Sequence, residues 1–349
     1  MSIDAVYTWA NFLDPKWREA YDHFAALDPA KRARRDPANA GVIRHTDNGE
    51  LRYSLRSLER YAPFVRRIHL VIDGSPPEWL DTGGSDVHVL SSREIFPDDF
   101  PLPVFSSDLI EAFLWRIPDL SEQYVYFNDD MLLASPCTPG DFFDAQGRSL
   151  VRMVPDLIDA PQGSVDFVYN QMLRNTERAI RRRISPAYRP RFPTRKPWVP
   201  MIARRIIQNK LALNEMAHIA QPFHRSLWPL FHEVFAKELR ALASSRFRHV
   251  RGFCVNLAYQ YLARQQQKAL FTFDASDLLI PRRAASAELK ALQEHARDAA
   301  RKGLKFLCFN DGIGDTEIDW PRFIADTLRG LLDEPSRWEK GAGRSAKAP

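Results

Sequence analysis

One decapeptide, Tyr124-Val125-Tyr126-Phe127-Asn128-Asp129-Asp130-Met131-Leu132-Leu133, limits what this chain can become. It opens with four apolar residues, three of them aromatic. A short run of that kind reads as a strand covered on both faces. Burying an unpaired carboxylate is very costly, so Asp129 and Asp130 belong at the strand's carboxyl end, beside a cleft. In open α/β sheets that edge is where ligands bind. Paired carboxylates there suit a hard divalent cation, and through it a diphosphate. An Asn-Asp-Asp turn between two strands is the other reading, and the decapeptide alone leaves both open.

The chain before it repeats the theme. Ile3-Asp4-Ala5-Val6-Tyr7-Thr8-Trp9 is a β-rich run, with Asp4 early in it. Asp47 or Asn48 caps a helix that has Glu50 in its first turn and Leu51, Leu55 and Leu58 at helical spacing. Arg52, Arg56 and Arg60 fall on another face, either solvated or facing a ligand. After Ala62-Pro63 a second strand ends in Asp73-Gly74, an acid placed as Asp129 is. A helix between two strands is the βαβ pattern of a parallel sheet. Ser106 or Ser107 caps a short helix through Glu111, and residues 304–311 form a late strand ending in Asn310-Asp311.

These segments predict an α/β fold: a Rossmann-like mixed sheet flanked by helices, with a helical subdomain in the C-terminal half. The expected organisation is an α/β core over 1–160, a mainly helical region over 161–265, closing elements over 266–335 and a disordered tail over 336–349. Residues 141–143 and 150–154 are expected to form a lid hairpin or edge strands.

Charge and cysteine usage narrow the partners. The net charge of +5 is uneven, with Arg181, Arg182, Arg183, Arg189, Arg191, Arg195 and Lys196 in one interval. Such an excess serves a polyanionic polymer, an anionic membrane surface or a phosphate-bearing substrate. No RNA- or DNA-binding signature accompanies it, so no nucleic-acid partner is expected. Cys137, Cys254 and Cys308 lack CxxC spacing, which indicates neither a disulfide framework nor a zinc site. His218, His224 and His232 lack i, i+4 spacing and are not expected to form a zinc site together. Arg246 and Arg248 precede the apolar helix that begins near Phe253, where arginine opposes the helix dipole unless an anion sits there. Without a signal-peptide pattern or a long uncharged apolar run, the expected location is cytoplasmic, with peripheral contact at the inner membrane.

Taken together the residues resemble the Stealth family of sugar-1-phosphate transferases, which includes bacterial capsule phosphotransferases. Four blocks match in order. The first is Ile3-Asp4-Ala5-Val6-Tyr7-Thr8-Trp9. The second runs from Asp47-Asn48-Gly49-Glu50-Leu51-Arg52 through Asp73-Gly74, Phe105-Ser106-Ser107 and Ile110-Glu111 to Asn128-Asp129-Asp130. The third comprises Asn170, Ala217-His218 and Ser244-Ser245-Arg246-Phe247-Arg248. The fourth is Lys305-Phe306-Leu307-Cys308-Phe309-Asn310-Asp311. The chain departs from the family pattern at Ser106, Trp115, Ala220 and Cys254, whereas Asn256 still fits.

The resemblance implies a GT-A-like core and transfer of a hexose- or N-acetylhexosamine-1-phosphate from a UDP-sugar to a hydroxyl of a glycan, in capsule or exopolysaccharide synthesis. It makes Asp129 and Asp130 the ligands of Mg²⁺ or Mn²⁺ and His218 the general base. Arg246 and Arg248 would stabilise transition-state charge. Asp4, Asp47, Asn48, Glu50, Arg52, Asp73, Ser107, Glu111 and Asn128 would bind the donor. Asn170, Asn256 and Asp311 would lie toward the acceptor. Two rivals stand: a glycosyltransferase that releases UDP, and a non-catalytic glycan-binding homologue, motivated by Cys254 and Ala220.

Overall fold

The structure is a computed structural model describing residues 2–28, 48–84, 86–157, 167–184, 214–273, 277–281, 286–299, 301–310 and 319–342. Asp47, Asp311, Arg189, Arg191, Arg195, Lys196 and residues 343–349 lie outside them. The tail expected to be disordered from 336 is ordered at its start, where Ser336, Trp338 and Glu339 are buried. Its centre is a five-stranded sheet. Strands β1 (Ile3–Ala10), β2 (Val65–Asp73), β3 (Val87–Ser91) and β4 (Gln123–Asn128) run parallel in the order β3-β2-β1-β4. Side chains alternate between its two faces. Ala5, Tyr7, Val125 and Phe127 enter one apolar cluster, and Val6, Tyr124 and Tyr126 enter the other.

Helix α1 (Pro15–Leu27) follows β1, its first turn capped by the Asp14 carboxylate. Helix α2 (Glu50–Tyr61) starts after Gly49, whose φ of +84° only glycine adopts without strain. Leu51, Leu55 and Leu58 bury its apolar stripe against one face of the sheet. Leu55 is fully buried, so truncating it to alanine costs about 2–5 kcal/mol. The opposite face of α2 is not a solvated row of arginines. Arg56 reaches Glu339 at 2.6 Å, Arg52 bonds the same carboxylate, and Arg60 donates to the Leu331 carbonyl.

The short helix α3 (Ser107–Glu111) precedes β4, and β5 (Met131–Leu133) follows it after a two-residue turn. The remaining elements are β6 (Ser149–Leu157), α4 (Phe167–Arg183), β7 (Asn214–Met216), β8 (Gln221–His224), α5 (Trp228–Val234), α6 (Ala236–Leu242), α7 (Val255–Gln265), β9 (Ala269–Thr272), β10 (Asp277–Pro281), α8 (Ser286–Arg297), β11 (Phe306–Asn310) and α9 (Trp320–Leu328).

The region expected to be a separate helical unit is joined to the core. β8 pairs antiparallel with β4 at the sheet edge, and Tyr259 of α7 donates its hydroxyl proton to the His224 carbonyl. α7 is buried along nearly its whole length in the second apolar cluster. The late strand lies outside the main sheet. β11 is the middle strand of a smaller sheet, β10-β11-β5, whose β5 continues directly from the Asp129-Asp130 turn. Of the lid hairpin or edge strands expected over 141–143 and 150–154, the structure shows a short antiparallel hairpin, with a Phe143–Ser149 bridge and the Leu150 amide on the Phe142 carbonyl at 2.8 Å. Residues 150–154 then continue as β6, the middle strand of a third sheet, β7-β6-β9. Among the described residues, no helix is long and apolar enough to cross a membrane.

The strand order reverses between β1 and β4, because β2 and β3 lie on one side of β1 and β4 on the other. Loops leaving the carboxyl ends of those two strands diverge and open a crevice. That is where the chain presents Asn128, Asp129 and Asp130.

Candidate active site

The acid turn after β4 is fastened from three directions. Asp130 accepts the Phe309 amide through its backbone carbonyl at 3.0 Å, tying the turn to β11. Its Oδ2 lies 3.2 Å from Nε2 of His218, which sits in the segment between β7 and β8. Its Oδ1 is buried without a hydrogen-bond partner among the described residues. Cys308 on β11 completes a group in which one ligand atom each from Asp130, His218 and Cys308 lies within 4.8 Å of the others. A buried carboxylate oxygen left unbonded is costly. It fits a divalent cation on the aspartate turn, with Asp130 and its neighbour Asp129 as the residues that would hold it.

Tyr126 organises the floor. Its hydroxyl lies 2.8 Å from Thr8 Oγ1 on β1, 3.1 Å from Glu111 Oε1 and 2.6 Å from Asn128 Oδ1. Burial, reinforced by the Asp108 charge, pushes the Glu111 carboxyl up to about 8, so it is protonated at neutral pH. Burial alone would lower the His218 pKa. The Asp130 charge and hydrogen bond, with Glu111 and Glu215 behind them, reverse this and hold it above its ordinary value.

Arg248 is held beside α3. Its guanidinium lies 3.0 Å from Asp108 Oδ2 and donates to Ser107 Oγ at 2.9 Å, anchoring it to the first turn of α3. Arg248 and Glu111 feel one another's charge, as do Glu111 and His218. The sheet turn, α3 and the segments around 218 and 248 therefore form one electrostatic unit. Tyr169 on α4 bonds Glu215 and adds a further acid beside His218.

The structure thus brings together Asp130, His218, Arg248, Glu111, Ser107 and Asn128 from the sequence-derived set, with Asp129 in the same turn. At the start of α2, the Glu50 carboxylate accepts from Asn48 N at 2.9 Å and from its Nδ2 at 2.7 Å. Glu50 also acts on the Cys308 thiol, together with Asp129 and Asp130. Asp73, at the carboxyl end of β2, lines a cavity of about 320 Å³ with Asp14, Lys16, Trp17, Gly74 and Phe105. Burial raises its carboxyl to about 6. Asn170 lies on α4 beside Tyr169, and Asn256 in the first turn of α7.

Three residues stand apart from this cluster. Asp4 pairs across from Tyr124 near the amino end of β1, roughly 13 Å by strand rise from the edge where Asn128 lies. It is fully buried and bound by Arg66 at 2.7 Å, His69 at 3.2 Å and the Ser121 amide at 2.8 Å, a structural ion cluster rather than a cleft wall. Arg52 is engaged by Glu339, as above. Arg246 donates to the carbonyls of Pro101 and Pro103 and lies 4.2 Å over the Phe24 ring, so it fastens the loop ahead of α3.

Sequence reasoning missed Asp108, Tyr126, Thr8, Glu215 and Cys308. Asp108 directly follows the serine pair and had a local signal as a first-turn acid. Cys308 and Glu215 had none, because spacing along the chain does not reveal that they meet Asp130 and His218.

Residues 44–151 match the family model for Stealth protein CR2, conserved region 2. An exopolysaccharide phosphotransferase of Streptomyces coelicolor, SCO2594, is 31% identical over 346 residues, covering 97% of this chain and 52% of its own length. A second from that organism, SCO6023, is 43% identical over 162 residues, 46% of this chain and 26% of the relative. The capsular polysaccharide phosphotransferase fcs1 of Haemophilus influenzae is 29% identical over 70% of this chain and 60% of its own. The chain therefore spans between 26% and 60% of the length of these relatives. Among solved structures, the galactosyltransferase LgtC with donor and acceptor sugar analogs aligns over 96% of this chain and 98% of its own, at 12% identity and a TM-score of 0.43. That likeness is too loose to bear on chemistry. The conserved region ends on β6 and contains α2, α3 and the aspartate turn, and with it the relatives assign this chain to the Stealth family.

Proposed function

We propose that this chain transfers a sugar-1-phosphate from a UDP-sugar to a hydroxyl of a glycan acceptor, forming a phosphodiester and releasing UMP, in capsule or exopolysaccharide synthesis. The observation that carries the reading is the Asp130–His218 pair at the crevice between β1 and β4, with a buried carboxylate oxygen beside it that has no partner among the described residues. The names of the relatives, all phosphotransferases of surface polysaccharides, give independent support.

The residues divide the work. Asp129 and Asp130 would hold Mg²⁺ or Mn²⁺, which when bound would neutralise charge on the diphosphate. Asp130 Oδ2 accepts from His218 Nε2, which leaves Nδ1 as the basic nitrogen that takes the acceptor hydroxyl's proton. The acceptor oxygen then attacks the sugar-bearing phosphorus in line, and the bond to the UMP oxygen breaks. Arg248, fixed by Asp108 and Ser107, offers positive charge to the phosphoryl oxygens, where such a donor is most effective in a water-poor site. Glu111, protonated and bonded to Tyr126, keeps additional negative charge away from the incoming diphosphate. Asp73 and the cavity beside Trp17 extend the same edge of the sheet toward the nucleoside. Asn170 and Asn256 would serve the acceptor, with Glu215 beside His218.

The test is incubation with a panel of UDP-sugars, Mg²⁺ and a glycan acceptor, followed by identification of the released nucleotide. UMP together with a phosphodiester product supports the proposal. UDP in place of UMP makes the chain a glycosyltransferase, and binding without turnover makes it a glycan-binding homologue; either outcome overturns it.

A further inference from the structure

We propose that Asp130, His218 and Cys308 form a binding site for a transition-metal ion of the zinc class, and that its occupancy shuts the site down. The three residues come from different parts of the fold: the turn after β4, the segment before β8, and β11. One ligand atom of each lies within 4.8 Å of the other two. Tetrahedral zinc, with bonds of about 2.0–2.3 Å, places its ligand atoms roughly 3.3–3.9 Å apart, so closing the triangle takes a contraction of at most about 1.5 Å. The frame around them is fixed. Cys308 pairs with Met131, the neighbour of Asp130, and the Phe309 amide bonds the Asp130 carbonyl. The half-exposed His218 ring leaves an approach from solvent.

The donor set decides which ions this site takes. Magnesium prefers oxygen ligands and avoids sulfur, whereas zinc-class ions accept imidazole, carboxylate and thiolate together. Binding exchanges the Cys308 thiol proton, released to solvent, for a sulfur–metal bond, and His218 binds as neutral imidazole. Asp130 and His218 are then both engaged. The loss of activity that follows rests on the function proposed above; the binding itself does not.

The test titrates the metal-free full chain with Co²⁺ under anaerobic conditions. The expected result is one equivalent of cobalt carrying a sulfur-to-cobalt charge-transfer band, displaced by Zn²⁺. Cys308→Ser removes the band, and His218→Gln retains it while weakening affinity by at least about tenfold, the loss that even an outer-shell partner of a ligand costs. Absence of the band in the wild-type chain overturns the site, as does an undiminished band in Cys308→Ser. Should Cys308→Ser not fold, His218→Gln still decides, since unchanged cobalt affinity there also overturns it. In the nucleotide-release assay, Zn²⁺ that binds without suppressing UMP formation overturns the inhibitory consequence. If no nucleotide is released under any condition, the proposed function fails while the cobalt result stands.

Discussion

Oδ2 of Asp130 and Nε2 of His218 lie 3.2 Å apart, joining residues 88 positions distant in sequence at the carboxyl edge of the central sheet. The contact gives Asp130 two tasks, because one oxygen orients the imidazole while the other stays buried without a partner among the described residues. Removing either residue disables the same proton transfer. Asp130→Asn and His218→Gln should each lower kcat by about 10²–10⁴-fold, the range for general-base catalysis. The double variant should be little worse than the weaker single one, since residues acting as a unit are not additive. Steady-state kinetics of the three variants measure this, and additive losses would separate the two residues mechanistically.

Arg246 and Arg248 stand two residues apart and have different fates. Arg248 faces the acidic cluster, held by Asp108 and Ser107, whereas Arg246 is consumed by the carbonyls of Pro101 and Pro103. Arg248→Ala should lower kcat by about 10²-fold, the cost of losing one charge-stabilising donor. Arg246→Ala should leave kcat within about threefold of wild type and instead lower stability by about 1 kcal/mol, since the carbonyls it releases can bond water. Kinetics and denaturant titrations on both variants test the division. A kcat loss in Arg246→Ala as large as in Arg248→Ala would remove it.

The same pair marks how far the sequence can be read. β4 is legible because four apolar residues in a row read as a strand and the acids are costly to bury. The two readings of its end prove compatible, since Asp129 and Asp130 form a turn between β4 and β5 at the carboxyl edge of the sheet. α2 is legible from its leucine spacing, but its start is not: the N-cap is Gly49 without a side-chain cap, and Asn48 instead donates to the Glu50 carboxylate. Asp4 misleads because an acid in a strand reads as lining the cleft; as the second residue of β1 it sits at the wrong end for a parallel sheet. β8 escapes notice because a four-residue strand containing Pro222 has almost no periodicity, and proline is tolerated there only because the strand is at an edge. Cys308 meets Asp130 and His218 through tertiary packing of three elements, which no local pattern encodes. Arg52 reads as a donor ligand because nothing in the sequence ties it to Glu339, nearly the whole chain away.

Glu111 carries a prediction opposite in sign to that of an ordinary surface carboxylate. Its folded-state pKa, up to about 8, lies above the unfolded value, so folding holds a proton that the unfolded chain releases from about pH 4.5 upward. Its contribution therefore grows less favourable as pH rises from about 4.5 to 8. Glu111→Gln imitates the protonated acid and should be more stable than wild type at pH 8 and equal to it at pH 4. Melting curves at the two pH values check this. Activity near pH 7 should persist in the variant, because the side chain already acts as a neutral group. A variant less stable at both pH values would mean that Glu111 is ionised in the folded protein.

Glu339 supplies the acid-side counterpart. Burial opposes its ionisation, but Arg56, the Ser336 amide and Arg52 outweigh it and bring the carboxyl down to about 2. A folded value below the unfolded one stabilises the protein at neutral pH, and the gain is lost as pH falls from about 4.5 through 2. The contribution is of order 2–3 kcal/mol, reduced from the full shift because Arg52 is 41% exposed and screened by solvent. Glu339→Gln should therefore lose about 2 kcal/mol or more at pH 7, since it also leaves the largely buried Arg56 without its anion. The gap to wild type should close toward pH 2. Because these arginines line α2 away from the aspartate turn, the variant should unfold more readily without a specific loss of kcat at temperatures where it remains folded. Urea titrations at pH 7 and pH 3, paired with nucleotide-release kinetics, distinguish this clasp from a donor-binding role: a fall in kcat or a rise in KM at unchanged stability would return Arg52 to the substrate.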